Sequence, residues 1–176
     1  MNLKETTKEK HYLYNGKIIN LRVDDAELPD GKPCKREVVE HPGGASVLCV
    51  RDGKVLLVRQ YRYAYGEEIL EIPAGKLNPG EDPALTAARE LKEETGIEAA
   101  SLRHLFTLYP TPGYTDEKIY IYCAEGAADG QAHLDEGEFL NVEWRELNCV
   151  TDMIGRGEIR DAKTIVAVQW YLLQQK

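Results

Sequence analysis

The sequence predicts an α/β fold in which helices cover both faces of a mixed β-sheet, with an N-terminal antiparallel β extension. Short apolar segments bounded by turn residues recur along most of the chain, whereas two longer segments have the period of a helix. A chain of 176 residues is ordinarily one domain. One helix between strands and a second at the end suit an α/β/α sandwich.

The first strands are predicted ahead of a glycine pair, Gly43-Gly44. Residues 17–28 alternate loosely between apolar and polar side chains, residues 35–40 form another short strand, and Asp30-Gly31 is the turn between them. A hairpin alone is marginally stable in water, so another surface must cover it. We therefore expect a β extension over residues 1–42 and the main domain over residues 43–176.

The remaining strands follow the glycine pair in order. Six strands are predicted, of which the first two form an apolar hairpin: residues 45–50, 54–60, 68–72, 104–109, 118–125 and 140–144. A final helix is expected over residues 162–174. Its buried side should carry Ile165, Val168, Leu172 and Trp170.

The best-marked helix lies in the middle of the chain. Asp82 is a suitable N-cap because its carboxylate can accept hydrogen bonds from free backbone N–H groups, and Pro83 suits the first helical position. Good helix formers continue to Thr95, and Gly96 suits a left-handed stop. One stripe of mostly small side chains can face a core: Ala84, Ala87, Ala88, Leu91 and Thr95.

Three carboxylates lie beside this stripe. Glu90, Glu93 and Glu94 are spaced i, i+3 and i+4, so they converge on one edge of the helix. Like charges so close repel one another unless a cation lies among them, and oxygen ligands suit Mg²⁺ or Mn²⁺. The alternative is a solvated acidic face, since 30 of the 176 residues are Asp or Glu. Arg89 can pair with Glu93 four residues later, and Gly75 can let the preceding loop turn tightly.

The helix is part of a longer motif. Residues 75–97 read GKLNPGEDPALTAARELKEETGI and fit G-x5-E-x7-R-E-U-x-E-E-x-G-U, where U is a bulky aliphatic residue. The fixed positions are Gly75, Glu81, Arg89, Glu90, Leu91, Glu93, Glu94, Gly96 and Ile97. The pattern is the signature of the Nudix hydrolases, which this chain resembles. The resemblance implies the Nudix fold and the metal-dependent hydrolysis of a nucleoside diphosphate linked to a further group.

Segments outside the motif resemble the ADP-ribose pyrophosphatases within that family. They read VRQYRYAYGEEILEIPAGKL, YPTPGYTDEKIYIY, LPDGKPCKREVVEHPGGASVL and DAKTIVAVQWYL, and Pro112 lies 15 residues after Ile97. This resemblance covers about residues 12–172. It implies hydrolysis of ADP-ribose to AMP and ribose 5-phosphate, and a homodimer that exchanges its N-terminal strands.

The resemblance also implies a metal site. Glu90 and Glu94 are expected to be the main ligands of Mg²⁺ or Mn²⁺, with Glu93 second and the carbonyl of Ala74 completing the shell. Four motif residues are expected to have structural roles, with Glu81 at the periphery of the metals: Gly75, Glu81, Arg89 and Gly96.

Substrate contacts are expected from five residues: Arg36, Glu37, Arg62, Gly75 and Pro112. Arg62 matches a phosphate-contacting arginine, although a surface cation beside Glu67 or Glu68 is the alternative. In the family, the residues matching Arg36 and Glu37 reach the adenosine half of the ligand from the partner subunit. Tyr12 or Tyr14 could stack on adenine, or could simply pack on the protein.

The charges indicate a mechanism. Two phosphoryl groups repel hydroxide, so metal ions held by Glu90 and Glu94 must neutralise them and lower the pKa of a bound water. A base must then orient that water or take its proton. The segment DEGE, residues 135–138, matches the mobile loop from which the family often draws this group. Glu136 is the first candidate and Glu138 the second, beside Glu93 and Glu94 as catalytic carboxylates; the alternative is an acidic turn without chemistry.

Composition excludes several other classes. The net charge of −8 argues against a general nucleic-acid binder, although bound metal ions would still admit a phosphate ligand. The N-terminus lacks the apolar core of a signal peptide, and no apolar run reaches the length of a membrane span. Four cysteines without C-x-x-C spacing are expected to be reduced and mostly buried: Cys34, Cys49, Cys123 and Cys149. We expect a soluble cytoplasmic protein that binds neither membranes nor nucleic acids.

Two other functions stay open at this point. One is a Nudix pyrophosphatase for another nucleoside diphosphate sugar or for oxidised nucleotides. The second is a non-catalytic Nudix domain that senses ADP-ribose-like ligands, although such sensors usually carry damaged motifs and this motif is intact.

Overall fold

The computed structural model describes residues 2–175, which form two compact units. Residues up to Gly43, together with Tyr109–Lys118, form the first unit. Gly44–Leu108 and the residues from Ile119 onward form the second. The first break lies beside the predicted boundary between residues 42 and 43. The sequence gives no sign that Tyr109–Lys118 joins the first unit.

The first unit is built on a three-stranded antiparallel sheet in the order β1-β2-β3. The strands are β1 Thr6–Asn15, β2 Asn20–Glu27 and β3 Pro33–Glu40. Strands β2 and β3 confirm the two predicted segments, whereas β1 is absent from the prediction because its TTKEKHYLYN run is polar and mostly exposed. The loop Tyr109–Lys118 binds the end of β3 through two backbone hydrogen bonds: Val39 N–H to Tyr114 O (2.7 Å) and Asp116 N–H to Val39 O (3.2 Å).

The second unit contains a seven-stranded mixed sheet. Its central order is β12-β5-β4-β10-β9, with β6 paired to β5 and β7 paired to β4. The strands are β4 Gly44–Arg51, β5 Lys54–Arg62, β6 Glu67–Glu71, β7 Ala74–Lys76, β9 Ser101–Leu108, β10 Ile119–Glu125 and β12 Leu140–Glu146. A separate two-stranded ribbon joins β8 Ile97–Glu98 to β11 Ala128–Asp129. Strands β4 and β10 run parallel, while the other pairs are antiparallel.

Strands β4 and β5 separate soon after their tight turn. They pair only at Val50 with Val55 and at Arg51 with Lys54. Beyond these pairs, β6 continues the ladder on β5, and β7 continues it on β4. The chain therefore crosses from β6 to β7 in the gap between two diverging strands, directly before the predicted metal loop.

Within the described residues 2–175, three helices cover the two faces of this sheet. They are α1 Pro83–Thr95, α2 Leu147–Gly155 and α3 Ala162–Gln174. Helix α1 buries Ala87 and Leu91 in the core on one face, whereas Val150 of α2 and Val168 of α3 are buried in the core on the other. This arrangement confirms the predicted α/β/α sandwich.

The predicted ends of α1 and α3 are confirmed, but the buried side of α1 is not as expected. The Asp82 side chain accepts from Ala84 N–H at 2.8 Å, and Gly96 ends the helix in the left-handed region with φ 73°. Ala88 is exposed, because the buried stripe is displaced toward the metal loop. That stripe consists of Thr86, Ala87, Glu90, Leu91 and Glu94. Helix α2 is absent from the prediction.

The remaining expectations are met in part. Helix α3 buries Val168 as predicted, while Ile165, Leu172 and Trp170 are half-buried. Of the cysteines, two are buried, one is half-buried and one is exposed: Cys49, Cys123, Cys34 and Cys149 in that order. Within residues 2–175, no helix is both long and apolar enough to cross a membrane.

The end of α1 gives a test of the fold. A Cβ atom added to Gly96 would lie 2.8 Å from the backbone nitrogen of Ala132. Gly96→Ala should therefore lower the free energy of unfolding by about 2 kcal/mol or more, from left-handed strain and overpacking together. Gly157 has the same φ of 73° but open space around it, so Gly157→Ala should cost only about 1 kcal/mol. Urea denaturation measures both, and equal losses would contradict the packing argument.

Candidate active site

The backbone before the motif is fixed to β4. The carbonyl of Pro73 accepts from Val47 N–H at 2.9 Å and from the Ser46 hydroxyl at 3.1 Å. Ala74 and Gly75 then pair with Ser46 and Ala45 in the β4–β7 ladder. The predicted metal loop is thus an extension of the sheet, so its carbonyl groups have defined positions.

Gly75 leaves space for the end of the Glu90 side chain. A Cβ atom at this position would lie 1.9 Å from the carboxyl carbon of Glu90. Gly75 does not have a positive φ, so the left-handed freedom of glycine does not explain it. The close approach of the Glu90 carboxylate to the loop backbone does.

Glu94 is the most deeply buried carboxylate of the motif, at 4% exposure. Its Oε2 accepts from Ala74 N–H at 3.1 Å. This bond joins α1 to the loop residue whose carbonyl is the expected metal ligand. Glu94 therefore faces the loop, while its role as a metal ligand stays a prediction.

Burial perturbs both inward carboxylates. Burial, the neighbouring charge of Glu90 and further charge from Glu71 and Glu138 raise the pKa of Glu94 to about 8, although the Ala74 N–H opposes this. Burial also raises the pKa of Glu90; the cation of Arg89 opposes the shift, while Glu93 and Glu138 add to it. Each carboxylate would therefore gain from a cation placed between them.

Arg89 organises the outer part of the motif. It donates to Glu81 at 3.1 and 3.2 Å, to Glu90 at 2.7 Å and to Glu93 at 2.9 Å. The bonds from Arg89 and the Asn78 backbone bring the pKa of Glu81 down to about 2. The predicted pairing of Arg89 with Glu93 is confirmed. Arg89 and Glu81 hold the loop and the helix together, as expected for structural residues.

The residues present fit a divalent metal ion. Glu90 and Glu94 are at most 9% exposed, and the hydrogen-bond partner of Glu94 is a neutral backbone group. A buried carboxylate is ionised only when paired with a cation, and otherwise takes up a proton. Carboxylate and carbonyl oxygens are the ligands that Mg²⁺ and Mn²⁺ prefer. The Ala74, Glu90, Glu93 and Glu94 ligand set therefore stays our prediction for this site.

Among residues 2–175, a group of three side chains with their ligand atoms close together occurs in the N-terminal sheet, whereas Glu90, Glu93 and Glu94 do not form such a group. The ligand atoms of Glu9, His11 and Asp25 lie within 4.8 Å of one another. The Lys35 ammonium already pairs with Asp25, which His11 also contacts at 2.9 Å. A surface ion-pair cluster explains this group without a metal.

Arg62 lies beside the metal loop and is held by Glu71. Its Nε and Nη2 atoms donate to the two carboxylate oxygens of Glu71 at 2.7 and 2.9 Å. Burial opposes its charge, but the bonds and charge of Glu71, with Asp161 and Glu94, raise the pKa of Arg62. The alternative partner Glu67 instead binds Arg160 at 2.8 Å, outside this cluster.

Glu71 and its second partner, Lys163, are functional candidates that the sequence analysis misses. Glu71 is 1% exposed and Lys163 is 8% exposed. Lys163 donates to Glu71 and, at 2.9 Å, to Asp161. Glu71 begins the segment EIPAG and Lys163 lies in the segment DAKT. Nothing in the sequence indicates that these two segments are in contact.

The acidic loop contains two candidate bases, and one of them, Glu138, acts electrostatically on the buried carboxylates. The charge of Glu138 contributes to the raised pKa values of Glu90 and Glu94. Glu138 also lines a cavity of about 340 Å³ with Gln60, Tyr61 and further residues of β5, β6, β12 and the loop. Glu136, the first candidate from sequence, is exposed in the adjoining turn.

The other predicted substrate residues lie in the first unit. Arg36 and Glu37 are exposed on β3, and Arg36 binds Glu5 through two bonds of 2.7 and 2.8 Å. Pro112 lines a cavity of about 200 Å³ formed within the Tyr109–Lys118 loop. Their roles stay predictions.

The three-layer fold and the carboxylate helix behind a glycine loop are the features expected of a Nudix hydrolase. A family model described as NUDIX domain matches residues 40–168, and the chain belongs to this family. Residues 5–39 match a second model, described as nucleoside diphosphate sugar hydrolase N-terminal domain. The two matches meet close to the predicted boundary at residue 42.

Near-full-length relatives support the same grouping. The chain is 43% identical to an ADP-ribose pyrophosphatase of Bacillus subtilis, over 98% of this chain and 95% of the relative. It is 41% identical to a methanol dehydrogenase activator of Bacillus methanolicus, over 97% and 94%. A solved structure of an ADP compounds hydrolase superposes with a TM-score of 0.86, covering 99% of this chain and 96% of that one. At 23% identity, this last likeness shows the fold alone.

The raised pKa of Glu94 predicts how stability depends on pH without metal. The folded protein holds a proton on Glu94 up to about pH 8, whereas the unfolded chain releases it near pH 4.3. The folded state binds more protons between these values, so the free energy of unfolding should fall as pH rises through this window. Glu94→Gln should flatten the decline and be more stable than wild type at about pH 8.

Urea denaturation in a chelator, from about pH 5 to about pH 9, measures this dependence. Glu93→Gln is the matched control, because the Glu93 side chain is 31% exposed and should keep the wild-type slope. The same slope in wild type and Glu94→Gln would show that Glu94 ionises normally.

Proposed function

We propose that the protein hydrolyses the pyrophosphate bond of ADP-ribose, giving AMP and ribose 5-phosphate in the presence of Mg²⁺. The observation that carries the reaction class is the pair of buried carboxylates, Glu90 and Glu94, set against Gly75. The choice of substrate is supported by the near-full-length likeness to an ADP-ribose pyrophosphatase. A cytoplasmic location stays a prediction from the sequence.

Each part of the site has a role in this reaction. When bound, the divalent ions would neutralise the phosphate charges and supply an acidic water. Glu90 and Glu94, with Glu93 and the Ala74 carbonyl, would hold those ions. Arg62 presents a fixed cation to a phosphate oxygen.

Glu138 is our choice for the base that orients the attacking water. Its charge already acts on both buried carboxylates, and its loop is exposed enough to move on substrate binding. Glu136 is therefore the second candidate, which reverses the order inferred from sequence.

A substrate panel tests the proposal. ADP-ribose should be hydrolysed with a kcat/KM about tenfold or more above that of ADP-hexoses and GDP-sugars, because a hydrogen-bonding pocket rejects ligands that leave its polar groups unpaired. Glu90→Gln and Glu94→Gln should each lose most of the activity with the fold intact. Chromatography of the products identifies the bond that is cleaved.

Three outcomes of the panel would count against parts of the proposal. Faster turnover of a GDP-sugar would change the substrate and keep the reaction class. Near wild-type turnover by either variant in Mg²⁺ would remove the metal assignment. Tight ADP-ribose binding without turnover would support the sensor alternative.

We also propose a homodimer that forms through the N-terminal unit. Several apolar side chains of this unit are exposed, among them Leu13 at 66% and Ile18 at 56%, and a patch of this kind favours a partner surface. In such a dimer Arg36 and Glu37 would face the adenosine of the neighbouring subunit.

The full-length protein should therefore sediment as a dimer at micromolar concentration. Leu13→Glu should shift it toward monomer, because a buried unpaired charge opposes association. Leu173→Glu is the matched control, as Leu173 is 63% exposed on α3 in the second unit. A wild-type monomer, or equal effects of both variants, would contradict this interface. A truncation at Gly43 is a poorer test, since it removes the strand that binds Tyr109–Lys118.

A second candidate function is activation of an alcohol dehydrogenase. The observation that favours it is 41% identity to a methanol dehydrogenase activator. Adding the protein to a methanol dehydrogenase and measuring its rate tests this candidate. Glu94→Gln in the same assay shows whether activation depends on the hydrolytic site.

A further inference from the structure

The first turn of α3 contacts the strand end that leads into the metal loop. The Thr164 hydroxyl donates to Asp161 at 2.6 Å and accepts from Ile72 N–H at 2.9 Å. Thr164 and Ile72 are both fully buried. Because a hydroxyl has one hydrogen, its bond to Asp161 leaves its lone pairs for Ile72. The acceptor is therefore oriented before any ligand binds.

This contact helps to determine where Ala74 lies. Ile72 N–H is held by Thr164 of α3, and the carbonyl of Pro73 is held by Val47 of β4. Ala74 N–H is held by Glu94 of α1. Three consecutive residues are thus tied to three different elements. The bond to Thr164 is the one that comes from the C-terminal helix.

The same turn also balances the charge around Arg62. Glu71 and Asp161 carry two negative charges, and Arg62 and Lys163 carry two positive ones. Lys163 donates to both acids, so Glu71 does not depend on Arg62 alone for neutralisation. The Nε and Nη2 atoms of Arg62 bind Glu71, while its Nη1 atom has no hydrogen-bond partner among residues 2–175.

We infer that the first turn of α3, Asp161 to Thr164, positions the catalytic groups. Thr164 sets the backbone of the metal loop through Ile72. Lys163 neutralises Glu71, so that Glu71 fixes the plane of the Arg62 guanidinium while leaving its Nη1 free for a phosphate oxygen. This inference rests on the proposed function and adds Glu71, Lys163 and Thr164 to its site as positioning residues.

A purely structural role explains this arrangement less well. Replacing a buried ion pair by apolar side chains is often neutral or stabilising, so the fold alone does not need Glu71 and Lys163. Holding the Arg62 guanidinium in one orientation beside a phosphate does need Glu71 and Lys163, because a misplacement of about 1 Å can reduce a rate about a hundredfold.

The test for Thr164 compares Thr164→Val with Thr164→Ser. Valine keeps the shape but leaves Ile72 N–H without an acceptor, so kcat for ADP-ribose should fall about tenfold or more. Serine keeps the hydroxyl and should restore kcat to within about threefold of wild type. Thr151→Val is the matched control, since the Thr151 hydroxyl bonds Leu147 within α2 at 2.9 Å. Hydrogen exchange of Ile72 and Ala74 in metal-free protein should accelerate in Thr164→Val only.

The test for Lys163 is a double-mutant cycle with Arg62. Lys163→Met should raise KM and lower kcat, together about tenfold in kcat/KM, because Glu71 and Asp161 then compete for one cation. If Lys163 acts through Arg62, Lys163→Met should lower kcat/KM by less than about twofold when Arg62 is already replaced by alanine. If Lys163→Met fails to fold, the double variant Lys163→Met with Glu71→Gln replaces it, because it removes the buried cation and the buried anion together. Its effect on kcat/KM should likewise be non-additive with that of Arg62→Ala.

The inference is overturned by either of two results. One is a kcat within about twofold of wild type and unchanged exchange at Ile72 and Ala74 in Thr164→Val. The second is additive effects of Lys163→Met and Arg62→Ala. Failure of wild-type protein to hydrolyse any nucleoside diphosphate sugar would instead remove the proposed function, while the exchange experiment would still report whether Thr164 positions the loop.

Discussion

The second unit is organised around three buried carboxylates. Glu90, Glu94 and Glu71 are all at most 9% exposed. A buried carboxylate needs a cation or a proton. The three carboxylates differ in the cation that each one contacts. Arg89 bonds Glu90, whereas Arg62 and Lys163 neutralise Glu71. Among residues 2–175, the one hydrogen-bond donor to Glu94 is a backbone N–H, which leaves its carboxylate dependent on a metal ion or on its own proton.

Several elements of the fold meet at these charges. Gly75 lacks a side chain so that the Glu90 carboxylate can approach the loop. Strands β4 and β5 diverge. Strand β6, which carries Glu71, pairs with β5, and strand β7, which carries Ala74, pairs with β4. The first turn of α3 then brings Lys163 and Thr164 to the same place. Sheet and helices on both faces thus meet where the charge is concentrated.

Local signals were enough to predict much of this fold. The caps at Asp82 and Gly96 and the bounds of α3 follow from neighbouring residues, and the structure confirms them. The prediction failed where distant contacts decide. Ala88 is exposed because the stripe of α1 turns toward a loop. Glu71 and Lys163 are 92 positions apart, so no local pattern can pair them. Likewise the polar strand β1 pairs with β2 along its length, a contact that its own residues do not predict.

The division into two units separates the chemistry from the recognition proposed for it. Every predicted metal ligand, Arg62 and both loop glutamates belong to the second unit, whereas Arg36, Glu37 and Pro112 belong to the first. In the proposed reaction, bond cleavage would depend on charges and positions within one packed core, where a small displacement is costly. Exposed residues on a strand and a loop tolerate replacement much more readily. On the proposed function, we therefore expect changes in the first unit to alter which nucleoside is accepted while the reaction at the pyrophosphate stays the same.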